Sequence, residues 1–218
     1  MKLIGVDLGG TFVRAGLIEN DSILRIKSTG INSKGTEAQV LEDIFSVIDG
    51  IITSDIEGIG VGVPSVVDPE KGIVYDVYNI PSWKAVPLKN ILEEKYNIKT
   101  VINNDANCFA LGEKYYGKGR NVKNIVGLII GTGMGAGIIV NGKLYSGPNC
   151  GAGEFGMIPY KDDILEHYCS GAYFKKYHNI SGEELFDLAL KNDKDAIKIY
   201  EEYAINLANA VKIILYSL

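Results

Sequence analysis

Leu3-Ile4-Gly5-Val6-Asp7-Leu8-Gly9-Gly10-Thr11 opens the chain, and alternation resumes at once with Val13, Ala15 and Leu17. Apolar residues at every second position predict two strands, and the glycine pair between them predicts a hairpin turn. Two residues without a Cβ let an anion approach backbone N–H groups, Thr11 adds a hydroxyl donor, and Asp7 is placed to hold a cation. The same residues also satisfy a plainer reading, a Gly-Gly turn joining two ordinary strands.

Working outward, Asn20-Asp21 makes a second turn and Ile23, Leu24 and Ile26 a third strand, so the chain opens as a meander. From Thr36 the period changes. Val40, Leu41, Ile44, Val47, Ile48, Ile51 and Ile52 follow helical spacing, and Thr36 with Gln39 fits a capping box, predicting a helix over 36–53. Residues 58–63 form a short apolar strand, ended by Pro64-Ser65-Val66-Val67-Asp68-Pro69, and 73–77 is extended again. That strand, a helix over 88–96 and a strand over 100–102 describe a parallel crossover unit. Asn103-Asn104-Asp105 then leads into a helix over 106–116. Asp105 thus stands at the carboxyl end of a strand, where parallel α/β sheets bind ligands, although an aspartate there also serves as a helix N-cap.

The opening order then repeats. Residues 125–130 predict a strand, 131–137 (Gly131-Thr132-Gly133-Met134-Gly135-Ala136-Gly137) a glycine turn, and 138–140 a strand. Asn141-Gly142 signals a hairpin, and 143–145 a third strand. Two such halves, 1–118 and 119–218, would aim two glycine turns at one cleft. After Tyr145 comes a glycine-rich loop carrying Glu154, then short helical pieces near 164–168 and 172–177 and a capping box at Ser181 and Glu184 opening a helix to Leu190. A last helix places Ile197, Tyr200, Ala204, Leu207, Ala208, Val211 and Leu215 on one face. It corresponds to the 36–53 helix, so a further strand, helix and strand are expected, and the second half reads as incomplete at Leu218.

Composition narrows the partners. A net charge of −5 without a basic face disfavours nucleic acid, no apolar run reaches the length of a membrane span, and Met1 leads straight into a strand instead of a leader. A cytoplasmic protein is expected, and the three widely spaced cysteines suit reduced thiols.

Together these stretches resemble the ROK family (repressors, open reading frames and sugar kinases) within the actin-like ATPase, ribonuclease H-like α/β fold. Asp7-Leu8-Gly9-Gly10-Thr11 looks like its first phosphate motif, Ile130 to Gly137 like its second, and Asn103-Asn104-Asp105-Ala106-Asn107 like the segment with its catalytic aspartate. Gly153-Glu154-Phe155-Gly156, Leu165-Glu166 with Ser170-Gly171, and Asn79-Ile80-Pro81-Ser82-Trp83 resemble its sugar-contacting stretches. The resemblance implies an ATP- and Mg²⁺-dependent kinase acting on a hexose or N-acyl-hexosamine, with Asp105 as general base. It implies ATP and metal contacts from Asp7, Gly9, Gly10, Thr11, Gly131, Thr132, Gly133 and Gly135, with Asp7 on Mg²⁺. Sugar contacts would come from Ser65, Asn79, Asn104, Glu154 and Glu166. Ser65 replaces the glycine usual in the family. Turn-making asparagines and solvated surface glutamates are the plainer readings of Asn79, Asn104, Glu154 and Glu166.

Many family members follow Glu-x-Gly with a histidine and a cysteine-rich cluster that bind a structural Zn²⁺. Here Met157 and residues 161–164 stand at those places, and His167, His178 and Cys169 are not a four-ligand set, so no structural zinc is expected. Relatives are commonly dimers, which makes a homodimer an expectation by analogy. Two other readings stand beside the kinase: a sugar-sensing regulator, which would carry a helix-turn-helix ahead of the first hairpin, and a sugar-binding module without activity.

Overall fold

The computed structural model describes residues 1–148 and 150–218. β1 (Lys2–Leu8) and β2 (Phe12–Glu19) pair antiparallel with Leu8 opposite Val13, so the hairpin turn is Gly9-Gly10-Thr11. β3 (Ser22–Gly30) completes the meander, joined through Asn20 and Asp21, both left-handed at φ 48° and 64°. Asn and Asp tolerate that conformation because their short side chains bond locally. α1 (Glu37–Asp49) carries the expected reciprocal Thr36–Gln39 cap and buries Val40, Leu41, Ile44, Val47 and Ile48. It ends at Gly50, a turn before the predicted limit.

β4 (Gly58–Val63) lies parallel to β1. The segment after Pro64 does more than end that strand: β5 (Val66–Asp68) pairs with β6 (Ile73–Tyr75), which pairs with β7 (Ala85–Val86), forming a small separate sheet. α2 (Leu88–Tyr96) buries Leu88 and Leu92 and returns the chain to β8 (Thr100–Asn104), parallel to β4. The main sheet has the order β3-β2-β1-β4-β8. The parallel strands β1, β4 and β8 end on one edge, with Asp7, Gly62 and Asn103 in register, so the first glycine turn, Ser65 and Asp105 leave the sheet side by side. β8 runs two residues past its expected end because Asn103 and Asn104 stay in the ladder opposite Gly62 and Val63.

α3 (Asp105–Tyr115) carries the chain to a second sheet of β9 (Ile125–Ile130), β10 (Met134–Val140) and β11 (Lys143–Leu144), ordered β11-β10-β9. Here the glycine run misleads. The turn is only Gly131-Thr132-Gly133, and Met134 to Gly137, read as loop, belong to β10. These glycines serve packing: a Cβ on Gly137 would lie 2.5 Å from the Ala106 carbonyl oxygen and 2.6 Å from Ala110 Cβ, and one on Gly135 would lie 3.2 Å from Ala106 Cβ. α3 therefore rests directly on the β10 backbone.

The remainder comprises a 3₁₀ turn (Phe155–Met157), a hairpin of β12 (Pro159–Tyr160) and β13 (Asp163–Ile164), and helices α4 (Leu165–Cys169), α5 (Ala172–His178), α6 (Gly182–Leu190) and α7 (Lys194–Ser217). Ser181 and Glu184 cap α6 reciprocally. The interior face of α7 differs from the hydropathy reading: Ala196, Asn206, Ala210 and Ile214 are buried, while Ile197, Val211 and Leu215 are exposed. Asn206 goes inside because its Oδ1 accepts from Lys161 Nζ at 2.8 Å and from the Tyr160 hydroxyl at 3.3 Å, which offsets its desolvation. Among the described residues, no helix is long and apolar enough to cross a membrane.

Candidate active site

The first glycine turn is fixed at both ends. Gly9 N–H donates to Phe12 O and Ile31 N–H donates to Thr11 O, each at 2.9 Å. Gly10 is glycine because Asn79 lies against it: an added Cβ would stand 2.9 Å from Asn79 Cβ and Nδ2. Asn79 is thereby brought to the first glycine turn, and Asp7 is exposed at the end of β1 beside it.

Asn104 takes the capping role that the sequence left open to Asp105. Its Oδ1 accepts from Ala106 N at 2.9 Å and Asn107 N at 3.2 Å, and its Nδ2 donates to Ser65 O at 3.2 Å. Asn103 Oδ1 braces the same corner, accepting from Asn104 N and Asn107 Nδ2. Asp105 is the first helical residue, half-buried, with one oxygen accepting from Ala106 N at 2.8 Å. Burial, followed by the charge of Asp7, raises its pKa above the ordinary aspartate value, and the Ala106 N–H pulls the other way. The Ser65 hydroxyl donates to Tyr75 O, so toward a ligand it offers lone pairs only.

The second turn is held from beneath. Gly131 N–H donates to Gly133 O at 3.0 Å, Gly171 N–H to Gly131 O at 2.7 Å, and Ser170 Oγ to Thr132 O at 3.0 Å, with Ser170 fully buried. Ser170 and Gly171, which belong to a stretch that resembles a sugar-contacting one, bond to this turn. Gly135, expected as an ATP contact, lies in β10 beneath α3. Glu166 on α4 accepts from Met134 N–H at 2.9 Å, which sets its carboxylate at the turn's exit. Partial desolvation, then the charges of Glu166 and Asp105, raises the pKa of Glu154 above the ordinary glutamate value. Asp105 thus feels the charge of Asp7, and Glu154 the charges of Glu166 and Asp105. Such a set can accept several hydroxyl protons and attract a cation. Among the described residues, no three His, Cys, Asp or Glu side chains form a ready metal cage. A groove of about 760 Å³ borders Asp7 and Asp105 from the sheet side, but Ile18, Ile26, Val101 and Phe109 make it too apolar for a polyol.

Residues 3–218 match the model of the ROK family. The chain belongs to the ROK family. It is 33% identical to a glucokinase of Thermotoga maritima over 97% of this chain and 77% of that relative. It is also 33% identical to a xylose repressor of Caldicellulosiruptor bescii, over 75% of this chain and 43% of the repressor. A ROK family glucokinase from Streptomyces griseus, solved in complex with glucose and AMPPNP, superposes with a TM-score of 0.85 at 26% identity, covering 100% of this chain and 80% of that one. The ROK chain therefore has the actin-like ATPase fold.

Proposed function

We propose that this ROK chain transfers a phosphoryl group from ATP to a hydroxyl of a hexose or N-acyl-hexosamine, in a cleft between halves 1–118 and 119–218. One observation carries the reading. Asn104 caps α3, leaving Asp105 at the strand end as a half-buried carboxylate whose proton affinity is raised. A base with its pKa moved toward the working pH accepts a hydroxyl proton more effectively, and transfer through a loose transition state asks mainly for positioning and charge neutralisation. The Gly9 and Gly131 N–H groups close their own turns, so Gly10, Thr11, Thr132 and Gly133 would supply the backbone donors to phosphate oxygens. Asp7 would hold Mg²⁺, which when bound neutralises phosphate charge; the exposed carboxylate and the side-chain-free turn beside it fit that group. Glu154 and Glu166 accept from sugar hydroxyls, Asn79 donates and accepts, Asn104 contributes the second hydrogen of Nδ2, and Ser65 its lone pairs.

Asp105→Asn tests the reading. With Mg-ATP and a panel of hexoses and N-acyl-hexosamines, kcat should fall by about 10²- to 10⁴-fold while sugar affinity stays within a few-fold. Equal kcat in the two forms refutes the assignment. Sugar-induced thermal stabilisation without ADP release from the wild type favours a binding or regulatory protein, the reading that its likeness to a xylose repressor keeps open.

A further inference from the structure

We propose that Asp163 is a positioning residue for Glu166, holding α4 so that the Glu166 carboxylate stays at the exit of the second glycine turn; this rests on the reading of Glu166 as a sugar-binding group. α4 has five residues and no side-chain N-cap, since Ile164 occupies that place. A helix so short does not hold itself together and needs outside anchors. Three donors from two helices converge on the half-buried Asp163 carboxylate just before it: His167 Nδ1 of α4 at 2.8 Å, and Tyr177 OH at 3.0 Å with Lys176 Nζ, both of α5. Tyr168 of α4 stacks on Tyr177 with ring centroids 4.7 Å apart, sealing the same joint.

The other side of the hairpin is pinned as well. Lys161 takes a left-handed backbone at φ 55°, an uncommon conformation for a side chain with a Cβ, and it is held there by its ammonium 4.7 Å from the Tyr168 ring centre and bonded to the buried Asn206. Lys176 and then His167 hold the Asp163 carboxyl well below the usual carboxylate range, so the hub is ionised at any working pH. Glu166 is the residue between these anchors, next to His167 in sequence, and its bond to Met134 N–H is the readout of whether α4 is seated.

The test uses the full chain with Asp163→Ala and Asp163→Asn, the second keeping a neutral acceptor in case the first fails to fold. Hydrogen exchange of the Met134 amide reports Glu166 directly, without substrate. Asp163→Ala should speed that exchange by about tenfold or more relative to β1 amides, in line with losing a charged acceptor, and Asp163→Asn should fall between it and the wild type. In the kinase assay, KM for the sugar should rise about tenfold in Asp163→Ala while kcat and KM for ATP change by less than about threefold. Unchanged Met134 exchange with a lowered melting temperature reduces Asp163 to a structural residue and overturns the proposal, as does a loss confined to kcat. If the wild type phosphorylates no sugar, the functional reading fails, and Met134 exchange still decides whether Asp163 positions Glu166.

Discussion

Replacing Gly137 with alanine puts a methyl group 2.5 Å from the Ala106 carbonyl oxygen, 2.6 Å from Ala110 Cβ and 2.9 Å from Asn107 Cα. All three atoms belong to α3, two of backbone and one alanine methyl, and none can swing aside, so the helix must retreat by roughly an ångström to reach ordinary contact distance. Ala106 directly follows Asp105, and the shift carries the proposed base with it. Overpacking of this kind costs about 1–3 kcal/mol, a fall of roughly 2–12 °C in melting temperature for a chain of this size. A reacting group misplaced by ~1 Å can lose about 10²-fold in rate. Steady-state kinetics by coupled ADP release, alongside thermal melts, should show both losses. Gly112→Ala is the control on the same helix: its Cβ would meet nothing within 4 Å, so alanine should stabilise by about 0.5–1 kcal/mol and leave kcat unchanged. Wild-type kcat and melting temperature in Gly137→Ala, or equal losses in both variants, would refute the seating of α3 on the β10 backbone.

Three other outcomes follow from the same geometry. Because the fold raises the Asp105 pKa, ionising that group costs stability once the pH climbs past the unfolded aspartate value. Asp105→Asn should therefore melt higher than wild type at pH 7.5 without Mg²⁺, with the difference shrinking toward pH 4; a difference that grows on acidification contradicts the sign. Ser170→Ala removes the hydroxyl bond to Thr132 O and should raise KM for ATP about fivefold, the equivalent of ~1 kcal/mol, with sugar KM unchanged; the reverse pattern would assign Ser170 to the sugar side. Ser181→Ala breaks the α6 cap and should cost ~1 kcal/mol in a thermal melt with no kinetic effect, whereas a changed kcat would link α6 to the site.

Local chemistry was legible from the sequence wherever one stretch determines its own shape. The Gly9-Gly10 hairpin, the Thr36 and Ser181 capping boxes and the placement of Asp105 at a strand end all depend on near neighbours. What was misread depends on distant contacts. Met134 to Gly137 looks like loop by composition, and only the helix across it reveals a strand whose missing side chains make room for Ala106 and Ala110. The buried face of α7 includes Asn206, which no hydropathy pattern would put inside, because its partners come from a hairpin some 45 residues earlier. The bonds from Ser170 and Gly171 to Thr132 and Gly131, some 40 residues earlier, likewise carry no signal in the local sequence. Asn103-Asn104 did contain a usable signal: an asparagine immediately before a helix caps it as readily as an aspartate does, which would have freed Asp105 in advance.

α3 touches two sheets through glycines on both. A Cβ on Gly62 of β4 would meet Cys108 and Asp105 Cα at 3.5 and 3.6 Å, and Gly127, Gly135 and Gly137 receive the Ala106 and Ala110 side of the helix. Only short side chains of the helix, chiefly Ala106, Cys108 and Ala110, stand between it and these strands, so there is little slack to absorb sliding and α3 is an axle shared by both sheets. Asp105 sits at the near end of that axle. Were one sheet to turn against the other about that helix, Glu166 and the second glycine turn would move through an arc, while Asp105 would stay close to the fulcrum and travel least.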